Sequence, residues 1–483
     1  MNFGKTVSDL LRAGFSLSAA FFPKSKWEQP QEEACFDYQK NSNGKKFTIG
    51  FGKTEILPYD LDKKKYYVAG YSLNNPATGL LDPPYAHAVW IDDNSGRGGV
   101  VFVSIDNVGM LNKDVKAIRD SLSSFVRETG CRSLDILSTH SHAGIDTMGI
   151  WGPLPLSGRD KYYMEIVRAG VRSAVKKAYS DRRDGDLFLG TIQVPDMQKD
   201  IRTPSVFSKT LTRLRFVPDD GTREIYLINF ASHSESLTGK NSLVSADFPC
   251  YLRRKIKEKT GAETIYFVGA IGGMITMELL DENRPKSTRM IGEKLADYAL
   301  SIRREKKLKP NLSRIRQEFY LEADNSVLML AASLGILKVD KYISKNTNLK
   351  FSLKTEMTYY ELDTLKLLFL PGELFPELAY GGFLSANESA SGFGDEVNPK
   401  TLSDICDDKN LLIFGLANDE IGYIIPPNDF LLDKDIPYLN RARDHHGRNH
   451  YEETNSLGIN TAGKIAQTFE KMYNIAHSTK NIK

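Results

Sequence analysis

Cysteine is scarce and scattered. The chain has four in 483 residues, at Cys35, Cys131, Cys250 and Cys406, with no CxxC or other thiolate-zinc spacing among them. Neither a small disulfide-built fold nor a cysteine metal knuckle is indicated. Pairing in a secreted protein is open but not compelled, and Cys131 and Cys250 fall in element-like stretches and read as buried thiols. Charge of one sign is lacking too: 64 Lys and Arg stand against 61 Asp and Glu, a net of +3. Without a basic stripe, that balance excludes nucleic acid as a partner. The run at 303–307 (RREKK) closes a helical pattern and reads as a solvated helix C-terminus. Long apolar stretches are also missing. The run AGFSLSAAFF at 13–22 is too short to span a bilayer, so no transmembrane segment is expected. Peripheral membrane contact and the oligomeric state stay open.

The same N-terminal run has two readings. Behind Lys5 and Arg12 it can serve as the apolar part of a signal peptide, which would mean secretion. Alternatively, Leu10, Leu11, Phe15 and Leu17 share one face of an amphipathic helix. The expectation taken here is an uncleaved, cytoplasmic chain. Residues 23–45 are polar and aperiodic and read as a tether. The organisation expected is an N-terminal extension over 1–46 and one catalytic domain over 47–483, since no repeat or Pro/Gly/Ser linker divides the rest.

What is present from residue 47 onward is alternation of strand and helix patterns. Residues 100–106 (VVFVSID) form a continuous apolar strand, as in a buried sheet. Asn112 can cap a helix whose apolar face is Val115, Ile118, Leu122, Phe125 and Val126, with Gly130 past its end. Residues 134–138 (LDILS) return as a strand, completing a β-α-β unit. A second helix places Met164, Val167, Val171, Ala174 and Ala178 on one side. Strands are expected at 187–194, 211–217, 225–232, 264–268, 355–362, 365–370 and 411–416, with helices near 251–259 and 462–473. Adjacent β runs mixed with helices indicate an α/β fold, a mixed β-sheet core with flanking helices.

Chemistry collects just past the strands. Residues 134–138 run into Thr139-His140-Ser141-His142, 225–232 into His233, 365–370 into Pro371-Gly372-Glu373, and 411–416 into Asn418-Asp419-Glu420-Ile421-Gly422-Tyr423. Ligands of open α/β sheets bind outside strand carboxyl ends. If extended backbone continues, His140 and His142 face the same way. Imidazole with carboxylate is a donor set that suits zinc. Singly, each residue has a structural reading. HxH is common, Glu373 after Pro-Gly can cap a helix, and Tyr423 can pack. His445, His446 and His450 read as a solvated loop, and His87 as a structural residue on a strand. The combination raises the metal-site reading above these.

These motifs resemble the neutral, non-lysosomal ceramidase family, in the family's order. Thr139-His140-Ser141-His142-Ala143-Gly144 is similar to its THTHSG segment and Ile201-Arg202-Thr203-Pro204 to its NRSP segment. Leu214-Arg215-Phe216 is similar to its LRF strand, and Asn229-Phe230-Ala231-Ser232-His233 to its second-histidine strand. Leu370-Pro371-Gly372-Glu373 carries its PGE motif, residues 417–423 (ANDEIGY) its metal-tyrosine segment and His450-Tyr451-Glu452 its HYE segment. The resemblance runs from about Ile49 to Gly458.

The resemblance implies Zn2+ held by His140, His233, Glu373 and Tyr423, with His142, Arg202 and Tyr451 handling the scissile amide. It implies hydrolysis of a lipid-like N-acyl substrate to a fatty acid and a free amine. Three departures qualify this. The family's Asn-Ala-Gly-Asp-Val-Ser-Pro stretch is replaced near residues 268–276 (VGAIGGMIT). The glycine-rich segment after the first histidines becomes Ile145-Asp146-Thr147-Met148-Gly149-Ile150-Trp151. The family's C-terminal immunoglobulin-like domain is expected to be missing. The rival readings are a hydrolase of another N-acyl or ester substrate, and a non-catalytic metal- or lipid-binding relative. No Gly-x-Ser-x-Gly elbow is present to suggest a serine nucleophile.

Overall fold

The computed structural model describes residues 27–37, 45–344 and 351–478, together with 6, 9, 10, 13 and 14. Most of the apolar N-terminal run at 13–22 therefore lies outside the described residues. The chain is a mixed α/β fold in which two main sheets pack face to face under flanking helices. The larger sheet runs in the order Glu263–Val268, Ile225–Phe230, Thr210–Pro218, Arg183–Gln193, Phe47–Glu55, Tyr85–Asp92, Val100–Ile105, Ser133–Ser138, with Glu305–Lys307 beside Arg183–Gln193. Its two end pairs are parallel and the pairs between them antiparallel. The expected β-α-β unit is there: Val100–Ile105 and Ser133–Ser138 pair in parallel across the helical segments Asn112–Ser121 and Ser123–Thr129. Gly130 ends the second segment at φ 68°, the left-handed cap that glycine adopts without a Cβ penalty.

The second sheet is Leu312–Ala323, Phe351–Leu362, Leu365–Phe369 and Leu412–Phe414. An aromatic seam joins the two sheets. Phe369 stacks on Phe414 at 4.4 Å, and Phe102 and Phe267 lie 4.7 and 5.1 Å from Phe369 and Phe414 respectively. The long helix Lys161–Ser180 covers Phe47–Glu55 closely. A Cβ on Gly52 would lie 2.1 Å from the Ala174 carbonyl, so only glycine permits this approach.

The larger sheet curls until its ends approach without closing into a barrel. Ser104 Oγ donates to the Tyr266 carbonyl at 2.6 Å across the gap. Beyond Leu412–Phe414, residues 415–418 run through that gap. Gly415 N–H bonds Val268 O on one edge, and Asn418 N–H bonds Ile136 O on the other. Only the core of the strand expected at 411–416 is therefore ladder; its end bridges two sheet edges. The bridge is fastened by Asp135, fully buried. It accepts from Asn418 Nδ2 at 2.7 Å, Thr358 Oγ1 at 2.9 Å, Ser133 Oγ at 2.8 Å and the Tyr360 hydroxyl.

Four sequence expectations change. The helix at 112 is preceded by Leu111 without a side-chain cap. Its end is met by Asp419, which accepts from Asn112 N–H at 2.8 Å. Residues 27–37, inside the expected tether, lie along Leu312–Ala323. Phe36 is buried there, and Asp37 accepts from Arg132 Nη1 at 2.6 Å and from Arg314 N–H. Residues 305–307, read as part of a helix end, form an edge strand because Glu305 meets Arg213 and Arg215. The strand Leu312–Ala323 was not expected. Its alternation is broken by long polar side chains that pair across the sheet rather than face water. Cys131, Cys250 and Cys406 are buried free thiols, and Cys35 is an exposed one. His87 is buried on Tyr85–Asp92, 6.1 Å from the Phe51 ring, as a structural residue. Among the described residues no helix is long and apolar enough to cross a membrane.

Asp135→Ala leaves four buried donors unpaired at once. We expect a loss of about 3 kcal/mol or more in urea unfolding. A loss below about 1 kcal/mol would show that the two sheets hold together without this carboxylate.

Candidate metal centre

The curl of the sheet explains how residues from its opposite ends meet. Ser133–Ser138 delivers His140, and Ile225–Phe230 delivers His233. Ser141 and Ser234 pair as a parallel bridge, with His142 N–H on the Ser234 carbonyl at 2.9 Å. Glu373 and Tyr423 come from the second sheet as partners in a short parallel pair, Glu373–Leu374 with Tyr423–Ile424. His140 is not extended. Its φ of +57° is the left-handed region, which costs a non-glycine residue about 1 kcal/mol or more. The expectation that extended backbone sends both histidines the same way therefore fails. The rings still meet, at 4.6 Å between centroids, because that turn swings His140 toward His142. Gly70 packs against the other side of His142, where a Cβ would lie 2.5 Å from the ring's own Cβ.

His140, His233, Glu373 and Tyr423 are all buried. His233 Nε2 lies 2.9 Å and His140 Nε2 3.4 Å from the same Glu373 oxygen. The Nδ1 atoms of these histidines sit 2.6 Å from Val108 O and 2.7 Å from Ile275 O. A carbonyl can only accept, so each Nδ1 carries the proton and each Nε2 is turned inward, as in metal-ligating histidines. The possible ligand atoms of His140, His142 and His233 all lie within 4.8 Å of one another. Neither ring nitrogen of His142 has a hydrogen-bond partner, although its Nδ1 lies 3.5 Å from Glu235 Oε2. The inward Nε2 atoms of His140 and His233 beside the Glu373 carboxylate fit a borderline dication such as zinc.

Within the site, imidazole and carboxylate charges compensate one another. Burial opposes charge on His233, but the Glu373 hydrogen bond and Glu235 push it up to about 9. Burial, then His140, pushes His142 down to about 3, so its ring is neutral. Burial resists ionisation of Glu373, yet His140 and His233 hold it well below the usual carboxylate range. The Tyr423 phenol is held far above its ordinary value by burial and by Glu373.

His140, His142, Glu373, Tyr423 and Tyr451 line one cavity. Tyr451 stands 6.4 Å from Tyr423, ring to ring. Met148, Ile150 and Trp151 line the same cavity, whereas Ile145 is packed in the core. Arg202 borders the adjoining cleft, but its guanidinium is already met by Asp429 at 3.0 Å, Glu452 at 2.9 Å and Glu453 at 3.1 Å. It clamps the turn that begins at Tyr451. His450 is buried, not solvated, with Nδ1 2.8 Å from Glu453, while His445 and His446 are exposed. Sequence reasoning missed Glu235 and Tyr71, whose hydroxyl donates to Glu235 at 2.7 Å. Glu235 stands two residues past His233, a spacing that was legible; Tyr71 gives no signal in the sequence.

Behind Arg202, Glu377 is buried. Burial, and after it the Asp200 carboxylate, raises its carboxyl to about 8, and burial raises Asp200 to about 7. A raised carboxyl keeps its proton in the folded chain after the unfolded chain has lost it. Stability therefore falls as pH rises from about 4.5 toward 8, by at most about 1.4 kcal/mol per pH unit for each such group. Glu377→Gln should flatten the decline in urea midpoint between pH 5 and pH 8.5. An unchanged slope would place the titration elsewhere.

Residues 47–272 match the family model described as neutral/alkaline non-lysosomal ceramidase, N-terminal. Two solved structures share the fold. The crystal structure of neutral ceramidase from Pseudomonas aeruginosa is 16% identical, with 89% of this chain and 74% of that chain covered at a TM-score of 0.67. A ceramidase complexed with C2 is 16% identical, with 89% and 75% covered at a TM-score of 0.65. No curated protein matches the chain in sequence. Over residues 47–272 the chain thus matches the neutral/alkaline non-lysosomal ceramidase family, on a fold that these two structures share.

Proposed function

We propose that residues 47–483 act as a zinc-dependent amide hydrolase that cleaves an N-acyl, ceramide-like lipid into a fatty acid and a free amine. The observation that carries this is an apolar cavity that ends on His140, His142 and Glu373. Val108, Leu111, Met148, Trp151 and Leu337 wall it, which suits an acyl chain.

His140 and His233 through Nε2, Glu373 through its carboxylate and Tyr423 through its phenol oxygen are the proposed ligands. Zinc held there would lower the pKa of a bound water toward about 7 and polarise the substrate carbonyl. His142 is left to the substrate. Its Nδ1 faces Glu235, which Tyr71 holds, so its other nitrogen accepts the proton of the attacking water and passes it to the leaving nitrogen. Burial and Glu373 raise the Tyr451 phenol, so it keeps its proton and donates to the carbonyl oxygen as negative charge develops there. Water adds to the carbonyl carbon, the C–N bond breaks, and carboxylate and amine leave. Arg202 positions Tyr451 through the Glu452–Glu453 turn.

Elemental analysis should find about one zinc per chain, lost in the His140→Ala/His233→Ala double variant. His142→Ala should keep zinc and lose turnover by about 100-fold or more. Loss of zinc from that variant would instead mean a three-imidazole site.

The bulky segment at 148–151 narrows the apolar cavity, so short and medium acyl chains should be preferred. Each buried methylene contributes about 0.8 kcal/mol, about fourfold in kcat/KM, until the cavity is full. We expect kcat/KM across an N-acyl series to rise and then level, and Trp151→Ala to move the plateau to longer chains. A steady rise through the longest chains, unaltered by Trp151→Ala, would remove this segment from the substrate path.

A further inference from the structure

Two spaces meet at the histidines. The apolar cavity lies on one side and the polar cleft on the other, and His142, Tyr423 and Tyr451 line both. Glu420 lines the apolar one alone. It is a carboxyl set in a wall otherwise suited to methylenes.

Neighbours of the proposed ligands fix its place. Gly422 donates its N–H to Glu420 Oε1 at 2.8 Å, and its carbonyl accepts from Glu373 N–H at 3.0 Å. On the other side the Glu420 stem packs on Gly109, where a Cβ would lie 2.8 Å from Glu420 Cγ. Gly109 follows Val108, whose carbonyl holds His140 Nδ1 at 2.6 Å, and the Gly109 carbonyl is itself held by Thr147 Oγ1 at 2.6 Å. Glu420 thus stands at the metal end of the acyl cavity, where the carbons next to the scissile carbonyl would lie.

One of its oxygens serves the turn to Tyr423. The other, Oε2, is shielded from solvent and meets no donor among the described residues. The plain structural account is that Glu420 only braces that turn. A brace uses Oε1 and leaves Oε2 unexplained, and a buried polar atom left unmet is costly. An acyl chain of methylenes alone would seal Oε2 without a partner. A hydroxyl on one of the first carbons past the carbonyl would meet it. A site built to bond a substrate hydroxyl discriminates against the analogue that lacks it, because its own polar group is then unpaired.

We propose that Glu420 Oε2 bonds a hydroxyl at carbon 2 or 3 of the acyl chain, so that the site selects hydroxyacyl amides over plain acyl amides. This rests on the N-acyl hydrolase reading above and narrows its acyl half, leaving the amine half as it stands.

The test uses the zinc-loaded full chain. The substrates are N-octanoylsphingosine and its 2-hydroxy and 3-hydroxy forms, each epimer separately, which allows for the reach of the side chain. We compare kcat/KM for wild type, Glu420→Gln and Glu420→Met, and measure zinc in each. Octanoate and the hydroxyoctanoates, which cannot turn over, are titrated by calorimetry. The best hydroxylated substrate should exceed the plain one by about 10- to 100-fold in wild type, the range of one hydrogen bond set against an unmet buried group. That ratio should shrink in Glu420→Gln, whose amide keeps the bond to Gly422 and offers the hydroxyl a weaker partner, and fall to about one in Glu420→Met. A wild-type ratio near one for every position and epimer overturns the proposal. So does a ratio unaltered in Glu420→Gln, which decides the matter even where Glu420→Met does not fold. Loss of zinc from Glu420→Gln overturns it as well, since Glu420 would then be a metal ligand. If the hydroxyoctanoates bind preferentially through Glu420 and no amide is cleaved, the hydrolase reading fails while the acyl site stands.

Discussion

The contact between Asp135 and Asn418 sets where the site can be. Asp135 stands on the strand that ends in His140, and Asn418 on the segment that leads to Tyr423. The Asn418 side chain also accepts from Ile136 N–H at 2.8 Å, and its main chain donates to Ile136 O. One asparagine thus continues the edge of the first sheet as if it were another strand. Burying a carboxylate is costly unless its lone pairs are met, and here Arg119 Nη2 also stands 3.9 Å from Asp135. Thr358, Tyr360, Ser133 and Asn418 meet those lone pairs, from both sheets. Because these donors surround one group, a shift of either sheet would break several bonds together. The two halves of the site therefore share a common reference point.

Around that reference the site is arranged by charge. His140 and His233 are each pinned through Nδ1 to a main-chain carbonyl, which leaves Nε2 no freedom but to face Glu373. Glu373 in turn stands between two imidazoles and close to the Tyr423 phenol. Further out, Arg202 gathers Asp429, Glu452 and Glu453, so the many carboxylates near the cleft do not oppose Glu373 with bare charge. The outer network sets position and neutrality. The inner set is left for reactivity.

Much of this was legible in the sequence where one residue reports one local fact. The apolar strands, the amphipathic face from Met164 to Ala178, and the polar residues placed just past strand ends could be read one by one. What could not be read depends on distant partners. The left-handed turn at His140 is imposed by the Asn107 and Ser234 main chain on either side of Ser141 and His142. The cap on the helix at Asn112 comes from Asp419, 307 residues away along the chain. The enclosure of Arg202 gave no local signal, because its three carboxylates come from two loops more than 200 residues later. Polar residues at 27–37 resembled a tether because arginines on other strands, invisible to local pattern, neutralise them.

The passage of residues 415–418 between the sheet's two edges has a consequence for the order in which the chain acquires structure. Ser133–Ser138 and Glu263–Val268 come early in the chain, but the backbone that covers their outer sides arrives more than 140 residues after the second of them. Until then both are open edges, able to pair with any extended segment nearby. Contacts this remote form slowly, since a long loop must close first. During synthesis the first sheet therefore passes through a period with two adhesive margins, and the same late segment that seals them carries Tyr423 into place. Sealing of the fold and completion of the site are one event.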